Sequence, residues 1–297
     1  MTKTNPTEHS FTSQRLKLSY ALWDRPNADT VVLVHGGRDQ KRSWDWVATH
    51  LAKSYRVIAF DLRGHGKSQW SNDGDYGVMD HVFDLATLMD DVVQSDAVLI
   101  GHSLGGNIVL RYTGLFPDRV TKLVSIEGLG PSPKMLAQRN AQSIDDRLRE
   151  WVEQRRKLST RAPRVMQDAE EACARMRAAF GQLSETHIQH LTRTGITDNP
   201  DGTVSWAYDP AGMGRSPSDI RYEDFQHLWT QITCPTWLVY GAKSWASDPS
   251  KDGRASHFNT ASVSIIEDAG HWLHHDQFDN FITGLDAFLN ARQIERT

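Results

Sequence analysis

Short, nearly unbroken apolar runs recur along the chain and alternate with helix-like segments. "TVVLVHGG" (30–37) is the clearest run, and "RVIAFDLRGHG" (56–66), "DAVLIGHS" (96–103), "VTKLVSIEGLG" (120–130), "PTWLVYG" (235–241) and "ASVSIIEDAGH" (261–271) share its form. Runs rich in β-branched residues, without polar alternation, suit strands covered on both faces, so a mostly parallel, doubly wound sheet of the α/β class is predicted. Helices are predicted between them over 42–54, 78–92, 104–116 and 276–293. Every run ends in Gly, Asp, Glu, Ser or His. Ligands of open α/β sheets bind beyond the carboxyl ends of the strands, so the polar residues there are the first site candidates.

Residues 131–229 break this rhythm. They contain no convincing apolar strand, and "IDDRLREWVEQRRKL" and "DAEEACARMRAAFGQL" read as charged, Arg-rich helices. A core over 1–130 and 230–297 with a mostly helical cap inserted at 131–229 is therefore expected. Inside the cap, "GITDNPDGTVSWAYDPAGMGRSP" (195–217) is rich in Gly, Asp and Pro and is expected to be irregular or a short hairpin.

Composition narrows the class. A chain of 297 residues suits one elaborated domain, and 39% hydrophobic with 24% charged residues describes an ordinary globule. The net charge of −4 argues against a nucleic-acid partner, which basic surface would attract. No run approaches the ~20 apolar residues of a membrane span, and the polar start "MTKTNPTEHS" lacks the apolar stretch of a secretory signal, so a cytoplasmic protein without a membrane partner is expected. Cys173 and Cys234 are too few for a disulfide framework and lack metal-ligand spacing; they read as packing residues in a reducing compartment.

The run at 98–107, "VLIGHSLGGN", places a hydroxyl at the end of an apolar strand between small residues. Gly101-His102-Ser103-Leu104-Gly105 has the GxSxG spacing of a nucleophile elbow. A strand that turns this sharply into a helix leaves no room for side chains at the flanking positions, while Ser103 takes a strained backbone that projects its hydroxyl. The N-terminus of the following helix points backbone N–H groups at the same spot.

With "VLVHGGRDQKRSWDWV", "FDLRGHGKS", "GHSLGG" and "EDAGHWLHHDQ" in this order, the chain resembles the α/β-hydrolase family over nearly its whole length. The resemblance implies the α/β-hydrolase fold with a helical cap and a serine hydrolase that cleaves a carboxylic ester of a small, mostly apolar substrate through an acyl-enzyme, without a cofactor. It makes Ser103 the nucleophile, His271 of "DAGH" its base, and the N–H groups of Gly37 and Leu104 the oxyanion hole. His35 is expected to hydrogen-bond within the "HGG" turn, and Asp61, Arg63 and His65 to brace the strand ends rather than react.

The acid departs from the common pattern. Many family members carry Asp three residues after the glycine that ends the "PTWLVYG" strand, and here that position is Ser244. Glu127, in "LVSIEGLGP", is favoured because an anion at the end of an apolar strand needs a partner such as an imidazolium; Asp248 stays open as the alternative. Candidate substrate-binding residues are Arg38, Trp151, Trp206, Trp245 and Trp272. "HWLHHD", with His274 and His275, could be read as a metal site, but no HExxH pairing or Cys partner accompanies it, and no metal is expected. The basic run "RLREWVEQRRKLSTRAPR" (147–164) could attract an anion, although Glu150 and Glu153 favour a solvated helix with internal pairs. A small-molecule ester is the expected partner of a monomer or homodimer. Lactonase, carbon–carbon bond hydrolase, perhydrolase or cofactor-free oxygenase chemistry on the same triad, and a non-catalytic scaffold, are the alternatives.

Overall fold

The computed structural model describes residues 5–213 and 220–291. The antiparallel pair β1 (Thr7–Ser13) and β2 (Leu16–Trp23) precedes the first expected run, β3 (Thr30–Val34). Next come α1 (Asp45–Leu51), β4 (Arg56–Phe60), α2 (Val78–Leu88), β5 (Ala97–His102), α3 (Leu104–Leu115) and β6 (Val120–Ile126). The stretch that follows holds α4 (Pro133–Asn140), α5 (Ile144–Ser159), β7 (Val165–Met166), α6 (Ala169–Ala179), α7 (Glu185–Gly195), β8 (Ile196–Asp198), β9 (Val204–Trp206) and α8 (Tyr222–Thr230). The chain then closes with β10 (Thr236–Gly241), β11 (Ala261–Ile266), α9 (Leu273–Asp276) and α10 (Phe278–Asn290).

The main sheet has eight strands in the order β1-β2-β4-β3-β5-β6-β10-β11. Pairing is parallel from β4 to β11 and antiparallel at β1-β2 and β2-β4. Successive residues of the central strands serve opposite faces, which is why the runs are apolar without alternation. Val32, Phe60 and Leu99 pack under α2, α3 and α8, whereas Val31, Ala59 and Ile100 pack under α1 and α10. The expected α/β-hydrolase sheet is thus present, and the strand order reverses at β3, with β4 on one side and β5 on the other. That reversal opens a crevice at the carboxyl ends of β3 and β5.

Three local expectations are corrected. The β1-β2 hairpin has no counterpart in the sequence reading. Only Phe11 and Ser13 of β1 are buried, so it carries no apolar run. Its two-residue turn has Gln14 at φ 46° and Arg15 at φ 69°, the left-handed pair that a type I′ turn needs, without the Asn-Gly that would announce it. Within 131–229, expected to be mostly helical, β7, β9 and β8 form a small sheet, and β8-β9 is the hairpin foreseen as one option for 195–217. Strands of two or three residues are too short to leave a periodic signal. Lastly, the closing helix is broken at Gln277 between α9 and α10. Residues 214–217 and 292–293 of the expected elements lie outside the described residues. Among the described residues no helix is long and apolar enough to cross a membrane.

Candidate active site

Five adjacent strands, β3-β5-β6-β10-β11, end on one side of the sheet, and just beyond their ends stand Gly37, Ser103, Glu127, Ser244 and His271. Ser103 has φ 53° and ψ −113°, outside the ordinary regions for a residue with a side chain. Its neighbours allow this: a Cβ on Gly101 would lie 2.3 Å from the Gly105 carbonyl, and one on Gly105 would lie 2.1 Å from that of Val34. The Ser103 N–H donates to the Ile126 carbonyl at 2.8 Å, which ties the nucleophile candidate to the residue before Glu127.

Glu127 also turns left-handed, at φ 50°, and is buried. Its carboxylate accepts the Gly241 N–H on Oε1 at 2.9 Å, and on Oε2 the Ser244 hydroxyl at 2.6 Å and the Nδ1–H of His271. Three donors replace the water that this buried anion has lost. Asp248, the other carboxylate considered, accepts from the backbone N–H of Ser250 at 2.9 Å and its hydroxyl at 2.6 Å, and faces Lys251 at 3.4 Å. The structure brings Glu127, not Asp248, to His271. Ser244 occupies the position at which the family resemblance implies an acid, and its hydroxyl holds the carboxylate that arrives from the neighbouring strand.

His102 and Asp276 fix the main chain around His271. The Nε2–H of His102 donates to the His271 carbonyl at 2.9 Å, and Asp276 accepts the Gly270 N–H at 2.8 Å. Burial, reinforced by the neighbouring His271, holds the His102 pKa well below the ordinary histidine value, so this clamp is a neutral ring. His274 and His275 lie behind it, buried and also kept neutral chiefly by desolvation. Among the described residues no group of three or more His, Cys, Asp or Glu side chains is arranged to hold a metal ion.

The turn after β3 is braced from the loop after β4. His35 donates through Nδ1 to the Gly36 carbonyl at 2.7 Å and accepts the Leu62 N–H at 3.0 Å. His65 donates through Nδ1 to the Arg63 carbonyl at 2.9 Å and accepts the Arg38 N–H at 3.0 Å. Burial lowers both pKa values, which preserves the neutral tautomers that can accept these bonds. Asp61 is consumed by the N–H groups of Lys41 and Lys67 at 2.7 and 2.9 Å and by the buried Lys41 ammonium at 2.7 Å.

A cavity of about 1010 Å³ opens over these loops, lined by Gly37, Ser103, Leu104 and Glu127 together with Arg38 and Trp245. The Trp245 ring is exposed and stands 5.0 Å from that of His271. The other tryptophans proposed for substrate do not line it. Trp206 packs against Met166 and Val204, Trp272 stacks on Phe180 at 4.3 Å, and Trp151 is half-buried on α5. The sequence reading missed the roles of Ser244, His102 and Asp276; a serine where an acid was expected was the one available signal.

The family model for the alpha/beta hydrolase fold matches residues 29–278. The chain belongs to the alpha/beta hydrolase fold family. Within the family it is similar to Esterase YbfF of Escherichia coli, with 26% identity over 270 residues that cover 89% of this chain and 94% of the relative. It is also similar to Esterase Rv0045c of Mycobacterium tuberculosis, with 28% identity over 277 residues covering 90% of this chain and 84% of the relative. Among solved structures, the thioesterase domain from the curacin biosynthetic pathway superposes with a TM-score of 0.80 at 23% identity, covering 96% of this chain and 99% of that one, a likeness of fold. Matches to named esterases across most of the chain make this alpha/beta hydrolase an enzyme.

Proposed function

We propose that this hydrolase is a serine esterase that cleaves a carboxylic ester of a small substrate in two steps through an acyl-enzyme. The Glu127–His271 hydrogen bond carries the reading. With Nδ1–H given to a buried carboxylate, Nε2 is the unprotonated nitrogen, so the ring is a base and the imidazolium it becomes is stabilised. Nε2 takes the Ser103 proton as Oγ attacks the ester carbonyl, and the N–H groups of Gly37 and Leu104 receive the developing oxyanion. Collapse expels the alcohol, which takes its proton from Nε2. Water, deprotonated by the same nitrogen, then releases the acid. Ser103 Oγ and His271 Nε2 make no hydrogen bond among the described residues; in this mechanism their contact tightens when substrate binds, as catalytic hydrogen bonds commonly do.

In the same reading residues 131–229 serve as a cap, supported by Leu136 of α4, Arg147 of α5 and Tyr222 of α8 in the cavity wall. The names of the esterase relatives support the ester as substrate. The test is intact-mass labelling with a fluorophosphonate. Stoichiometric labelling that vanishes in Ser103→Ala, slows in Glu127→Gln and persists in Asp248→Asn is expected. An unaltered protein that takes no label overturns the activated serine.

A further inference from the structure

The cavity wall carries more positive charge than a neutral ester needs. Arg38 follows the turn after β3, Arg139 ends α4, and Arg147 lies on the first turns of α5; all three line the cavity. Of the acidic lining residues, Glu127 is engaged with His271, and Asp209 accepts from the Tyr76 hydroxyl at 2.5 Å and the Ala211 N–H at 2.8 Å. Glu223 is left against these arginines, since Arg221 is paired with Asp224 at 2.9 Å.

Arg147 is the sharpest case. Two residues further on, Arg149 pairs with Asp146 at 3.1 Å, and Arg156 pairs with Glu153 at 3.1 Å, all exposed. These are the solvated pairs expected of the basic run. Arg147 turns the other way: it lines the cavity, its Nε is shielded from solvent, and that nitrogen has no hydrogen-bond partner. Arg38, Arg139 and Arg147 have no carboxylate partner among the described residues. Arg111 is held differently, with Nε donating to Asn107 at 2.9 Å and its guanidinium 4.5 Å above the Phe225 ring. A shielded donor without an acceptor is destabilising, and a carboxylate fits the planar guanidinium fork with two parallel hydrogen bonds.

We infer that the ester hydrolysed here carries a free carboxylate, which Arg147 binds in the cavity with Arg38 and Arg139 adding to the attraction. This rests on the esterase reading and names the substrate class within it. The test compares para-nitrophenyl pentanoate with the para-nitrophenyl monoester of glutaric acid, which has the same chain length with a carboxylate in place of the terminal methyl. The unaltered protein is expected to favour the glutaric monoester at low ionic strength and to lose that preference as salt is added. Arg147→Gln is expected to lower kcat/KM for the glutaric monoester about tenfold more than for the pentanoate, chiefly through KM, whereas Arg149→Gln changes neither. Equal loss on both esters, or no preference in the unaltered protein, overturns the inference. Calorimetric titration with glutarate needs no turnover. Glutarate binding that weakens in Arg147→Gln while neither ester is cleaved would retain the anion site and remove the esterase reading. Absence of both binding and cleavage would remove the two together.

Discussion

The loops at the carboxyl ends of the strands and the helices of residues 131–229 use charge in opposite ways. At the strand ends Glu127, Asp61 and Lys41 are buried, and each is fixed by named hydrogen bonds to a neighbouring loop. Over residues 131–229 the pairs Arg149–Asp146, Arg156–Glu153 and Arg175–Glu171 stand in solvent. A buried ion that loses its partner is left unsatisfied in a medium of low polarity, whereas an exposed one is met by water and salt. The buried ions of the lower region therefore hold atoms in place, whereas the exposed pairs of the upper region can change without disturbing them.

Substitutions break this contrast from the lower side first. Glu127→Gln keeps the shape but offers no anion to the imidazole, and kcat for an ester is expected to fall about 10⁴-fold, as in related triads. Lys41→Met strands the Asp61 carboxylate, which Lys41 meets at 2.7 Å, and should cost about 3–5 kcal/mol in urea unfolding. Ser244→Ala removes one hydroxyl from Glu127 and should lower kcat about tenfold with KM little changed, so steady-state kinetics separates it from Glu127→Gln.

Acid is a gentler probe of the same buried region. The His275 pKa, lowered from 6.5 to about 3 chiefly by desolvation, makes the unfolded chain the better proton acceptor. Stability from this group is complete above about pH 6.5 and is lost as pH falls toward about 3. A series of urea unfolding curves should show that decline, with a shallower slope in His275→Gln; identical slopes would remove His275 as a cause. Smallest of all, Arg156→Gln in the upper region should move the melting temperature by less than about 2 °C.

The placement of Ser103, Gly37 and His271 beyond neighbouring strand ends was legible because the elbow, the tight turn and the last strand end impose spacings that few other residue types tolerate. The carboxylate that meets His271 was less so. Glu127 is fixed by Gly241, Ser244 and His271, each more than a hundred positions away in the chain, and nothing local separates it from Asp248. Arg147 and Arg149 are alike in composition and differ only in which side of α5 they occupy, which depends on where the helix is laid. The β1-β2 hairpin was hidden for the opposite reason, since Gln14 and Arg15 adopt a turn that their identities disfavour.

The hydroxyl of Ser244 lies 2.6 Å from the Glu127 carboxylate. An acid in its place would press a second anion against the first, and one of the two would have to retain a proton. Two positions on neighbouring strands can thus anchor one imidazole, but not as carboxylates together. A neutral hydrogen-bonding residue at one of them is therefore what lets a carboxylate at the other face the imidazole alone, and here Ser244 is that residue.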